Sequence, residues 1–157
     1  MKKIKGGSLM LFLDGKSIAF ATNHTLEISA DMADTSNKDE GAGDWAAQEV
    51  NLLSWTATSE NLYSLDGEGD NFADLFDIMI AKTPVDAVFC KKSADDSVVN
   101  VPTGGWTPQA AAANAPQYVG KVVISSLSLN APNGEYATYT ANFSGVGALQ
   151  KKTSAQP

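Results

Sequence analysis

The chain has 157 residues, 43% hydrophobic and 18% charged, with a net charge of -7 at neutral pH. That length suits one domain with a substantial core and is short for two. The acidic balance argues against the broad basic patch on which binding to nucleic acid or anionic membranes relies, and no stretch approaches the ~18 apolar residues of a membrane helix.

The opening MKKIKGGSLMLFLDGK is expected to be a flexible arm, 1–8, running into a strand. Its apolar run at 9–13 is shorter than the roughly 7 residues of a signal-peptide core. Asp14-Gly15 accepts the positive φ of a tight turn, so 9–13 and 17–21 read as a hairpin. Residues 25–30 continue as a strand, with Leu26 and Ile28 directed at the core. DMADTSNKDEGAGDW follows without an apolar period, and a long polar loop is expected over 31–51. From 53 to 63, Leu53, Trp55 and Ala57 alternate with Ser54, Thr56 and Thr58, a strand with Trp55 on its buried face.

Phe72, Leu75, Phe76, Met79 and Ile80 form one stripe at helical spacing, which predicts a helix packing Phe72, Phe76 and Ile80 on the core. Asp70 or Asn71 would cap it, and Pro84 stops it before a strand at 85–91. Residues 93–117, with VPTGGWTPQAAAANAP, read as a loop or surface insertion. A long hairpin then turns at Pro132-Asn133-Gly134, with Leu127, Tyr139 and Phe143 in the core. Gly145 and Gly147 are expected to mark where the chain leaves the sheet, ahead of a flexible tail at 150–157. About seven strands in hairpin order against one helix predict a mainly β domain over 9–149, an antiparallel sandwich or barrel flanked by one α-helix.

Residues equipped for chemistry are sparse. His24, the only histidine, lacks a nucleophile context, and Cys90, the only cysteine, reads as a small core hydrophobe that can form no intrachain disulfide. In DGEGDNFADLFD the residues Asp66, Glu68, Asp70, Asp74 and Asp77 have calcium-loop spacing, but Asn71 stands where glycine is required and Asp77 where a bidentate Glu is usual. Helix capping explains these acids well enough, so no metal is assigned. Gly145-Val-Gly147 lacks the helix and lysine of a phosphate loop, and the two Asn-x-Ser/Thr matches, at Asn23 and Asn142, are taken as chance. Asp31, Asp34, Asp39, Glu40 and Asp44 sit on a glycine-rich segment without a scaffold for catalysis, and read as a solvated or partner-facing loop. No catalytic residue and no cofactor are expected.

Taken in order, LFLDGKSIAFATNHTLEISADMADTSNKDEGAGDW, NLLSWTATSENLY and LNAPNGEYATYTANFSGVGAL resemble the major tail tube proteins of long-tailed bacteriophages. The resemblance runs over most of 9–149 and departs from the family at 93–117. It implies a structural virion protein of the phage tail, assembled in the bacterial cytoplasm as hexameric rings that stack into a tube for genome ejection. Implied partners are further copies of itself, the tape measure, tail initiator and terminator proteins, and transiting DNA that is not specifically bound; no membrane is involved. It also implies that the loop at 31–51, with Asp31, Asp34, Lys38, Asp39, Glu40, Asp44 and Trp45, reaches the next ring. Related inner tubes of contractile machines fit equally. The competing reading is a carbohydrate-binding or other ligand-binding β-sandwich using Trp45, Trp55 or Trp106 as stacking platforms.

Overall fold

The computed structural model describes residues 3–37, 39, 45, 47–95 and 97–154. A 3-10 turn, Gly6–Ser8, precedes β1 (Leu9–Leu13), β2 (Lys16–Ser17), β3 (Ala21–Asp34) and β4 (Gln48–Leu62). After these come α1 (Phe72–Ala81), β5 (Val85–Lys91), β6 (Gln117–Asn130) and β7 (Thr138–Lys152). Asp14 and Gly15, with φ of 51° and 79°, supply the two left-handed residues that the tight β1–β2 turn needs. All seven strands form one antiparallel sheet in the order β2-β1-β5-β6-β7-β4-β3. The mainly β architecture with one helix is therefore as expected. The expected sandwich or barrel is one sheet rolled on itself, its ends meeting where the Leu11 N–H donates to His24 Nδ1 at 3.2 Å.

Inside the roll, Leu11, Leu13, Trp55, Phe89, Val122, Tyr139 and Phe143 form the core, with Leu26, Phe72 and Leu127 packed at its margin. The Phe72 and Tyr139 rings meet edge to face at 5.3 Å, a favourable aromatic geometry. Alternate residues of β1, Met10 and Phe12, point the other way and join Cys90, Val88 and Trp106 in a second cluster. Both faces of β1 are thus covered, which explains its unbroken apolar run. The outer cover is the 93–117 segment. It is pinned where Ser93 N–H donates to Thr107 O (2.8 Å) and Gln109 N–H to Lys91 O (2.9 Å), and the Lys92 ammonium sits 3.8 Å from the Trp106 ring centre.

Asn71 caps α1 in a reciprocal box with Asp74, and Lys82 closes it in the left-handed conformation. Leu75 is fully buried, and Ile78 and Met79 pack at the core margin. Phe76 and Ile80, expected in the core, are exposed instead. Each follows an inward residue by one position, and one position turns a helix by about 100°.

The C-terminal expectations are also corrected. Gly145 and Gly147 lie within β7, which stays paired with β6 as far as Lys152 opposite Gln117. Residues 150–152 are sheet, held by the pairs Val119↔Gln150, Tyr118↔Lys151 and Gln117↔Lys152, and nearer the fork β7 also seats Trp55. A Cβ on Gly145 would stand 2.3 Å from the indole, and one on Gly120 would stand 2.5 Å away. The indole Nε1 donates to Gly147 O at 3.1 Å, so two glycines and a carbonyl fix the largest side chain in the core. At the other terminus Ser8 is buried and its carbonyl accepts from Lys92 N–H at 2.8 Å, so the expected arm is anchored there.

Candidate functional site

Trp55 stands where the sheet forks. β4 pairs with β7 only from Thr56↔Ser144 to Leu62↔Thr138, whereas it pairs with β3 all the way to Asp34↔Gln48. Past the fork, β3 and β4 run on as a two-stranded ribbon. The polar loop expected over 31–51 is consequently strand at both ends, with Asp31 opposite Leu52 and Met32 opposite Val50.

The ribbon keeps the alternation of the core. Leu26, Ala57 and Trp55 face inward, and the same face continues outward through Ile28, Ala30, Met32 and Leu53. A bulge between Asp31 and Met32 takes up Asn51 as an extra residue, which brings Val50 onto the face of Met32. Ile28, expected in the core, is 58% exposed, and Leu53 is 73% exposed. The reason is the fork: Trp55, directly opposite Ile28, swings its ring over β6 and β7, and among the described residues no strand covers the ribbon. An uncovered apolar face continuous with a core is the signature of an interaction surface.

Between the ribbon ends, Ser36, Asn37, Asp39 and Trp45 are exposed. Asp34 accepts hydrogen bonds from Ser36, which hold its carboxyl below the ordinary aspartate range. Asp39 N–H donates to Asn37 Oδ1 at 2.9 Å, and Trp45 is 82% exposed. Lys38, Glu40 and Asp44 lie outside the described residues. Backbone edges without a strand partner among the described residues include the outer edge of β3, β6 beyond Val122, where β5 begins, and the facing edges of β4 and β7 past the fork.

The residues with chemical potential do not converge. Asp66 accepts from Ser64 Oγ (3.0 Å), Glu68 from Gly104 N–H (2.6 Å) and Asp74 from Asn71 N–H (3.1 Å), while Asp77 is exposed on α1. Burial, with Asp74 nearby, raises the Asp70 carboxyl to about 6. Among the described residues no group of three or more acids, histidines or cysteines gathers in metal-holding geometry. Burial likewise pushes the Cys90 thiol up to about 11, which leaves it protonated.

His24 lines a cleft of about 910 Å³ between β3 and the β1–β5 edge, shared with Leu26, Phe89, Gln109 and Tyr118. Its Nδ1 accepts from Leu11 N–H, so in the neutral ring Nε2 carries the proton. Burial lowers its pKa to about 4 and keeps it neutral. His24 Nε2 and Gln109 Oε1 are buried without a hydrogen-bond partner among the described residues. Sequence reading missed both the cleft and the ribbon face. The ribbon had a legible signal, the alternation of Ile28, Ala30 and Met32; the cleft had none, since its walls are distant in sequence.

No protein-family model and no curated protein matches the sequence. Solved structures do match. The tail of an empty gene transfer agent particle, determined with C6 symmetry, superposes with a TM-score of 0.67 at 16% identity, over 94% of this chain and 98% of that one. A chain of the native gene transfer agent virion gives 0.68 at 16% identity, over 96% and 99%. The SPP1 tail tube gives 0.64 at 9% identity, over 98% of this chain and 81% of that one. Nearly the whole chain therefore shares its fold with a chain of that tail, a chain of that virion and the chain of that tail tube.

Proposed function

We propose that the chain is the building block of a phage-type tail tube: a structural virion protein, and no enzyme, that forms hexameric rings stacked into a conduit for DNA. The observation that carries this reading is the end-to-end agreement in fold with chains of a tail determined with C6 symmetry, of a virion and of a tail tube. The free edges of β3 and β6 support it. Edge strands invite pairing, and a ring that joins one subunit's β6 to its neighbour's β3 satisfies both and abolishes the edge.

In this reading the ribbon and the 35–47 loop, including Asp31, Asp34, Lys38, Asp39, Glu40, Asp44 and Trp45, reach into the adjacent ring. Burial of Ile28, Met32, Val50 and Leu53 there supplies the apolar contact the isolated chain lacks. A net charge of -7 suits passage of DNA without specific binding, since an acidic wall makes few counterion-releasing contacts with phosphates. Tape measure, initiator and terminator proteins complete the partners, and assembly takes place in the bacterial cytoplasm. The carbohydrate-binding reading is weaker. Trp55 is buried and Trp106 is engaged by Lys92, which leaves Trp45 as the one open platform of the three.

Electron microscopy of the concentrated protein is the test. Hollow tubes of six-fold rings are expected; a persistent monomer that retains glycans on an affinity column would replace this reading with the other.

A further inference from the structure

Strand register sorts charge to the two ends of the body. At the end where the ribbon leaves, Lys91 pairs with Leu9, Lys151 with Tyr118 and Lys152 with Gln117, while Lys92 N–H holds Ser8 O and Lys5 O closes the 3-10 turn. These five lysines form one rim, with Asp95 beside Lys91. The ribbon's acids, Asp31, Asp34 and Glu49, lie beyond the fork at Trp55. The other end carries Glu135 in the β6–β7 turn, Asp66 in the β4–α1 connection and Asp74 in the first turn of α1, with Lys16 of β2 acting on Asp70 beside Asp74. Between the two ends, Lys121 of β6 is paired with Asp86 at 3.5 Å.

The cleft opens at the lysine rim, where Ile4, Leu9 and Lys91 line it. Inside it offers one donor, His24 Nε2–H, and one acceptor, Gln109 Oε1, among the apolar walls of Leu26, Phe89 and Tyr118. At the acidic end, next to Glu135, Tyr136 is 88% exposed. A phenol is apolar along its ring and both donates and accepts at its hydroxyl, which suits a cleft with apolar walls, an unpartnered donor and an unpartnered acceptor.

We infer that Glu135 and Tyr136, in the β6–β7 turn of one copy, dock into the His24–Gln109 cleft and lysine rim of a second copy. This rests on the tube reading above and specifies its ring-to-ring contact. A second copy is the occupant because stacking head to tail brings the acidic end onto the basic rim, whereas like ends repel. Such a contact does not close on itself, so it propagates as a filament. The ribbon leaves from the same basic end and therefore points toward the same neighbour.

Pelleting and negative-stain microscopy of the full chain test the inference. Glu135→Lys with Tyr136→Ala is expected to raise the concentration needed for tubes about tenfold. The unfolding transition of the monomer should not move, because both side chains are exposed. Adding Lys91→Glu and Lys151→Glu should recover tube formation, since opposite charges face each other again. In a Cys90→Ser background, Gln109→Cys with Tyr136→Cys should give an intermolecular disulfide ladder that neither single cysteine gives. Tubes from the Glu135→Lys, Tyr136→Ala chain at the wild-type concentration, or tubes of the cysteine pair without a ladder, overturn the docking and leave the tube reading intact. A wild-type chain that never assembles overturns both. Retention of double-stranded DNA by the lysine rim, with tubes unaffected by the substitutions, assigns the rim to DNA and also overturns the docking.

Discussion

On one side of Trp55, β3 and β4 are part of a covered sheet; on the other, the same two strands keep their apolar alternation with no strand over it among the described residues. Ala57 and Trp55 are buried by β6 and β7, whereas Ile28 and Leu53, next along the same face, stand open. Alternation therefore specifies an apolar face, and the fork decides how much of that face this chain's own strands cover. The glycines make that decision physical. Without a Cβ at Gly120 and Gly145 the indole can lie across two backbones and fill the point where β7 parts from β4.

The two halves should respond differently to substitution. Trp55→Ala, on the covered side, removes the largest core side chain and is expected to cost about 3–5 kcal/mol in urea unfolding. A loss below ~1 kcal/mol would mean that the fork is not held by the indole. His24, at the seam where the roll meets itself, gives the next largest effect, read through pH. Its folded pKa of about 4 lies below the ordinary 6.5, so its contribution is complete above pH 6.5 and disappears as pH falls toward 4. The amount is about 3 kcal/mol at full burial. Asp70 works in the opposite sense. Its raised pKa of about 6 favours the folded state when the carboxyl is protonated, so that contribution fades as pH rises through 6. The His24 loss is accordingly read in Asp70→Asn, by chemical denaturation at pH 7.5 and 4.5, and a flat profile there would contradict the buried neutral ring.

The smallest effect on folding belongs to the uncovered side. Ile28→Ser with Leu53→Ser should change monomer stability by less than about 0.5 kcal/mol, because both side chains already face water. A larger loss would show that the ribbon packs on its own body and is not held open for a partner.

The same contrast marks what was legible in the sequence. Strands with two covered faces or a clean alternation, and a helix with an Asn71–Asp74 box, stand out because each local signal agrees with the tertiary packing. The limits of β3 and β4 did not, since Asp31, Asp34 and Glu49 dilute the pattern while ladder pairing carries the strands through them. Gly145 and Gly147 looked like an exit from the sheet because a glycine reports only that space or freedom is needed. That the need was room for Trp55, 90 positions earlier than Gly145, is tertiary information. Phe76 and Ile80 fit the helical stripe as well as their neighbours did, and only the placement of Leu75 decides which side faces the core. The cleft at His24 is assembled from β1, β3, β5 and the 93–117 segment, so no local pattern announces it.

The central claim is that the open half of the β3–β4 face is buried by another copy of the chain. The most direct measurement is electron microscopy of the wild-type protein beside Ile28→Ser, Leu53→Ser at equal concentration, with both monomers first shown to unfold alike. Hollow six-fold tubes from the wild type and none from the variant are expected. Tubes of equal length and number from both would contradict it.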